Sequence, residues 1–282
     1  MPLPAVSTKR VLFATDFSDS SAAALPYALS LANRPGGKLT VTHVVPIGPM
    51  PPGFPARQWL AVGAQGIRES RASMARVEEQ LKGVEHETVV HSGDVYGQLA
   101  AILRSDEIDL MVVGTHGRSG FRKAVLGSVA EKLFRHMPCP VLTIGPQVRG
   151  EAHGFDELHS ILFPTDFSLE TKAALAYALS LAQEYRARLY LLHVAKEGTE
   201  WDREFLEKQL RELIPAEACL VCQPTARVEM GSPAEEILDV ATELAVDLIV
   251  LGPKRRSGLP GTMATSYRVA TQARCPVLTV RG

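Results

Sequence analysis

What the 282-residue chain lacks narrows it first. It lacks a charge excess: 30 Lys and Arg against 31 Asp and Glu leave a formal net charge of −1. That balance gives no electrostatic reason to expect nucleic acid or an anionic membrane as partner. It also lacks long hydrophobic runs, since nothing approaches the ~20 apolar residues of a membrane span. The first ten residues, Met1 to Arg10, contain no apolar core of signal-peptide length, so the expected location is the cytoplasm. Cysteine is sparse, four in all, and suggests no disulfide framework. Cys139 and Cys275 each precede Pro-Val-Leu-Thr, while Cys219 and Cys222 form a lone Cys-x-x-Cys. No second ligand pair follows at zinc-ribbon spacing, so no metal site is expected. Cys-Leu-Val-Cys suggests extended chain, which would point the two thiols to opposite faces of a sheet.

What is present is an ordinary globular composition, 46% hydrophobic and 22% charged, at a length suited to two domains. The chain is an internal duplication. Residues 10–32 align with 160–182 without a gap, and 15 of those 23 positions are identical. The same offset carries Leu39–Val44 onto Leu189–Val194, with His43 on His193. Further on, Gly93 matches Gly231, Asp109–Gly114 matches Asp247–Gly252, and Cys139–Thr143 matches Cys275–Thr279. The period is domain-sized, which means one fold written twice and not a solenoid. The boundary falls between Pro146 and Asp156, where glycine and charge interrupt the apolar pattern. The domains are therefore read as 1–147 and 157–282.

Within the first copy, strand-like and helix-like segments alternate. Strands are expected at Arg10–Ala14, Lys38–Val45, Glu87–His91, Asp109–Val113 and Pro140–Ile144. A first helix begins near the N-cap candidates Ser18 and Ser20 and should bury Ala23, Leu25, Ala28, Leu29, Leu31 and Ala32. A Pro-rich loop spans Pro46–Pro55, and further helices are expected over Ala56–Leu81, Val95–Arg104 and Val129–His136. Repeated βα units with near-continuous apolar strands argue a parallel sheet covered on both faces.

The stretch Gly114–Ser128 carries the chemistry. It joins an apolar strand to a helix, with Gly114, Gly117 and the pair Gly127-Ser128 at its marked points. Glycines that take φ > 0 let backbone N–H groups approach a phosphate, and Gly127-Ser128 presents the positive end of the next helix. The spacing fits neither the P-loop, for want of Gly-Lys-Ser/Thr, nor the dinucleotide fingerprint Gly-x-Gly-x-x-Gly. His116, Arg118, Arg122 and Lys123 lie in the same loop and could screen phosphate charge.

Gly-x2-Gly-x9-Gly-Ser resembles the ATP-binding signature of the universal stress protein family, and the resemblance covers both halves nearly end to end. It implies two tandem flavodoxin-like, Rossmann-like domains of the HUP type. Each would be an α/β fold with an open five-stranded parallel sheet of order 3-2-1-4-5 and helices on both faces. The ligand crevice then lies at the carboxyl ends of strands one and four, where the order reverses. In the family, the positions of Ala14, Thr15, Asp16 and Val44 line the adenosine pocket, with Val113 and Gly114 adding to that wall. The positions of Gly117, Gly127, Ser128 and Val129 hold the phosphates. The expected ligand is ATP, with or without Mg2+. Asp16 has an ordinary alternative as a turn or helix-entry cap, and the second copy keeps it as Asp166.

The second copy departs from the pattern. Of the signature only Gly252 survives; Arg255 stands for Gly117, and Met263-Ala264 for Gly127-Ser128. One competent site per chain is the expectation. Strand five is an apolar edge that needs cover. In the family two subunits commonly meet there. Pro276–Val280 would supply the matching antiparallel edge within the chain, making an intramolecular pseudo-dimer, alone or within a homodimer of chains. Three functional classes stand at this point: a nucleotide-binding stress or regulatory module, a slow ATP hydrolase, and a structural dimerising protein. A receiver domain fails, because Asp16 is followed by Phe17 and strand five by Gly145-Pro146 instead of lysine. A flavin-phosphate loop fails for want of glycine in Thr15–Asp19.

Overall fold

The computed structural model describes residues 6–115, 131–133, 136, 138–148, 154–155, 158–196, 202–253 and 264–281. By internal contacts it divides into two units: residues 7–141 with 152–155, and residues 142–151 with 156–282 and the first six.

In the N-terminal unit the elements are β1 (Arg10–Ala14), α1 (Asp19–Ala32), β2 (Lys38–Pro46), α2 (Ala56–Glu78), β3 (His86–Gly93), α3 (Val95–Ser105) and β4 (Leu110–Gly114). β1 lies between β2 and β4, parallel to both, and β3 is parallel to β2 on the outer side. Met111 N donates to Pro140 O as the next strand, β5 (Val141–Ile144), begins beside β4. The expected order 3-2-1-4-5 is observed.

The second unit repeats it: β6 (Ser160–Pro164), α4 (Glu170–Tyr185), β7 (Arg188–Ala195), α5 (Arg203–Glu212), α6 (Ala216–Cys222), β8 (Thr225–Met230), α7 (Pro233–Glu243), β9 (Leu248–Leu251), α8 (Ala264–Gln272) and β10 (Val277–Thr279). Its order is β10-β9-β6-β7-β8, with β5 added outside β10. Leu142, Thr143 and Ile144 of β5 count with this unit, and Thr143 Oγ1 donates to Val277 O at 3.0 Å.

The repeated residues explain the repeated geometry. Asp109 Oδ2 accepts from Lys9 N and Arg10 N, fastening the start of β1 beside β4. Asp247 does the same for His159 N and Ser160 N. Such charge-assisted bonds are stronger than neutral ones and fix strand register at its open end.

α1 starts where its capping chemistry says, with Ser18 as N-cap accepting from Ser21 N. Its buried face is Ser21, Ala24, Leu25, Ala28, Leu31 and Ala32, which corrects the expected set. Ala23 is exposed and Leu29 only half-buried, because the face is set by the 3.6-residue period and not by apolarity alone.

The Cys-x-x-Cys reading is also corrected. Cys219 and Cys222 are helical, in α6, and are not extended. Burial of the α6 face, with Ala218 and Cys222 at 3% and 0% exposure, outweighs the weak β propensity of Leu220-Val221.

The connecting segment is docked. Phe155 is 2% exposed, its N–H donates to Ser30 Oγ, and its ring meets Tyr27 edge-on at 5.2 Å. Gly154 has φ +63°, and a Cβ there would lie 2.4 Å from Pro26 O. Among the described residues no helix is long and apolar enough to cross a membrane.

Candidate functional site

The turn after β1 sits at the carboxyl end of the sheet, and a short hydrogen-bond network builds it. Thr15 N donates to Thr42 O of β2 at 2.9 Å, and Thr15 Oγ1 lies 2.9 Å from Ser21 Oγ. Phe17 N donates to Thr15 Oγ1, and Ser18 N donates to Asp16 Oδ1 at 3.1 Å. Phe17 is held at φ 61°, a region that costs a bulky residue about 1–3 kcal/mol. Its ring stacks on His43 at 4.5 Å, which helps hold that conformation. His43 Nδ1 lies 2.7 Å from Thr15 O; a carbonyl can only accept, so Nδ1 carries the proton.

Asp16 therefore performs the cap-like role through Oδ1, folding the chain into α1. The second unit repeats the turn almost atom for atom. Phe167 N donates to Thr165 Oγ1, Ser168 N to Asp166 Oδ1, and His193 Nδ1 meets Thr165 O at 2.9 Å. Phe167 again has φ 61°. The strained turn belongs to the fold and does not by itself mark a binding site.

Six of the twelve candidate residues lie within the described structure, and it brings them together. Ala14 is paired with both Thr42 and Val113 across the strands. Val44 and Val113 are 6% and 4% exposed and share one hydrophobic cluster, against which Ala14 packs. Thr15, at 7% exposure, and the part-buried Asp16 follow Ala14 at the end of β1.

Gly114 differs from expectation in its reason. Its φ is not in the left-handed region; instead a Cβ there would lie 2.5 Å from Ser20 O and 2.9 Å from Ser21 N. The glycine lets the start of α1 press against the end of β4. His116, Gly117, Arg118, Gly127, Ser128 and Val129, with Arg122 and Lys123, lie outside the described residues. So do Arg255 and Met263.

The same strand ends differ between the units. Ala14 is half-buried at the end of β1, whereas its counterpart Pro164 is fully buried at the end of β6. Thr42 faces Ala14 in the first unit and Leu192 faces Pro164 in the second, both buried, so the exchange there is one of polarity. Asp16 is part-buried and Asp166 exposed. Sequence reasoning passed over Ala14 against Pro164, although the substitution is legible in the alignment of the repeats.

A groove of about 390 Å³ between α2 and β3, lined by Arg71, Met74, Glu78, Thr88 and Val90 among others, lies at mid-strand. None of the candidate residues lines it. No group of three or more His, Cys, Asp or Glu suited to a metal occurs among the described residues.

The model of the universal stress protein family matches residues 7–145 and 157–281, almost the whole chain in two copies. The chain belongs to the universal stress protein family. A universal stress protein of Mycolicibacterium smegmatis is 26% identical over 295 residues, covering 96% of each chain. One of Methanocaldococcus jannaschii is 28% identical over 139 residues, 48% of this chain and 81% of its own. The universal stress unit thus matches both as a tandem pair and singly. Among solved structures, a universal stress protein from Archaeoglobus fulgidus has a TM-score of 0.78 at 22% identity, covering 98% of this chain and 97% of its own. At that identity the likeness concerns the fold: a doubled universal stress architecture.

Proposed function

We propose that this universal stress protein binds one ATP per chain, in the N-terminal domain (1–147), and acts as a cytoplasmic stress-response or regulatory module. The observation that carries the reading is the difference between two otherwise matching crevices. The first has a small, half-buried Ala14 on its apolar floor and a part-buried carboxylate at its rim. The second places a buried Pro164 at the position of Ala14 and an exposed carboxylate at the rim. Only the first continues into Gly-x2-Gly-x9-Gly-Ser. An apolar floor suits a purine ring, and Asp16 suits a ribose hydroxyl or adenine amine. Gly117, Gly127, Ser128 and Val129 would hold the phosphates through backbone amides, with or without Mg2+.

The second domain (157–282) is then a built-in partner. In this reading its β10 would cover the apolar edge of β5, which would otherwise invite association.

Hydrolysis should be slow. The loop has no Walker lysine, and His116 has no orienting partner evident in the sequence. Binding ground state and transition state equally well does not accelerate chemistry. Steady-state turnover should stay below about 1 s⁻¹, the low end of typical enzymes. Faster turnover that disappears in His116→Ala would make the protein an ATPase. Releasing and identifying the nucleotide that co-purifies with the full chain tests the reading of the ligand. Recovery of a non-adenine nucleotide would overturn it.

A further inference from the structure

The Cys219-x-x-Cys222 pair gains a meaning from its helix that extended chain would deny it. In α6, residues three apart lie on the same side, and ideal helix geometry puts their Cα atoms about 5 Å apart. That falls inside the roughly 4.4–6.8 Å range of disulfide-bonded Cα atoms. Both thiols are free.

The two are unequal. Cys219 is half-exposed, while Cys222 is 0% exposed and its Sγ donates to Ala218 O at 3.0 Å. Burial first, and Cys219 second, push the Cys222 thiol above its ordinary range. The pair closes the helix: Gln223 follows at φ 41°, with its N–H returning to Cys219 O. A last turn bounded by a left-handed residue adjusts more easily than a helix interior. Closing the bond from an undistorted helix would need a shift of roughly 1 Å between the Cβ atoms. A disulfide made under such strain is readily reduced, which suits a reversible device.

We propose that Cys219 and Cys222 form a reversible dithiol–disulfide pair oxidised by hydroperoxides. The half-exposed Cys219 thiolate attacks the terminal peroxide oxygen; the S–O bond forms, the O–O bond breaks, and Cys219 becomes a sulfenic acid. For hydrogen peroxide the leaving group is hydroxide, which is protonated to water. Cys222 Sγ then attacks that sulfur, the S–O bond breaks, and a second water leaves with the Cys222 proton. Two thiols are oxidised by two electrons and one peroxide is reduced to two waters. The new bond removes the S–H donor from Ala218 O and loosens the turn that leads into β8.

Cys139 and Cys275 are internal controls. Burial pushes each thiol up to about 12, so both are poor nucleophiles. The device resides in the C-terminal half and is independent of nucleotide binding.

The test uses the full reduced chain, treated with hydrogen peroxide, then unfolded and alkylated. Alkylatable thiols should fall from four to two, and the tryptic peptide 212–227 should lose two hydrogens and resist alkylation. Dithiothreitol should restore all four. Cys222→Ser should stop at a dimedone-reactive sulfenic acid on Cys219. Should that variant fold poorly, the wild-type peptide map decides alone. Cys222 still alkylated while Cys219 becomes sulfinic acid would overturn the proposal. So would a crosslink to another chain, or four thiols surviving a dose that oxidises the methionines.

Discussion

The two halves of this chain share a fold down to single hydrogen bonds, and part company where a ligand would sit. Thr15-Asp16-Phe17-Ser18 and Thr165-Asp166-Phe167-Ser168 make the same turn, with the same left-handed Phe and the same His beneath it. The comparison teaches that the acidic turn is scaffold. A half that has lost its glycine loop keeps the turn because α4 still has to start there. What distinguishes the halves is the floor, Ala14 against Pro164, and the loop, Gly117 and Gly127-Ser128 against Arg255 and Met263-Ala264.

That contrast can be broken most severely in the loop. Gly127→Arg or Gly117→Val should abolish ATP binding with unchanged circular dichroism, since both obstruct amides rather than core. The matched changes Met263→Arg and Arg255→Val should leave binding as it was. Equal losses from both pairs, measured by calorimetry, would erase the distinction between the halves.

Next in size is Gly114→Ala. The new Cβ would lie 2.5 Å from Ser20 O, and backbone on both sides must give way. Thermal or denaturant unfolding should show a loss of about 1–3 kcal/mol, the scale of overpacking, together with weakened ATP binding. A variant as stable as wild type would show that α1 is free to move away from β4.

The finest probe separates the two aspartates. Asp16→Ala and Asp166→Ala both remove a bond from a Ser N–H, and Asp16→Ala also removes the bond from Ser18 Oγ, so it should cost somewhat more stability. Only Asp16→Ala should also weaken ATP binding, by about 1–3 kcal/mol. If the two variants bind ATP equally, the carboxylate is a cap and nothing more.

Much of this was legible in the sequence. Alternating apolar segments located the strands of the first half to within about two residues, and Ser18 announced the start of α1, because both signals are local. The features that were not legible are long-range. Gly114 is required by the backbone of α1, nearly a hundred residues earlier, so its φ could not be guessed from the loop. Phe17 carries no sign of a left-handed backbone; His43, on another strand, supplies the stacking partner. Cys219 and Cys222 were misjudged because tertiary burial, not local propensity, makes α6 a helix. Of the proposed site, Ala14, Thr15, Asp16, Val44, Val113 and Gly114 were named through the family resemblance, and the fold sets them at neighbouring strand ends. The exchange of Ala14 for Pro164 acquired significance only once Ala14 was seen to be half-buried and Pro164 buried.

The central claim is that one chain holds one nucleotide. Calorimetric titration of ATP into the full chain tests it most directly, with the active protein concentration fixed independently. The account predicts a stoichiometry near one, falling to no detectable binding in Gly127→Arg. Two equivalent sites per chain, or binding that survives Gly127→Arg, would contradict it.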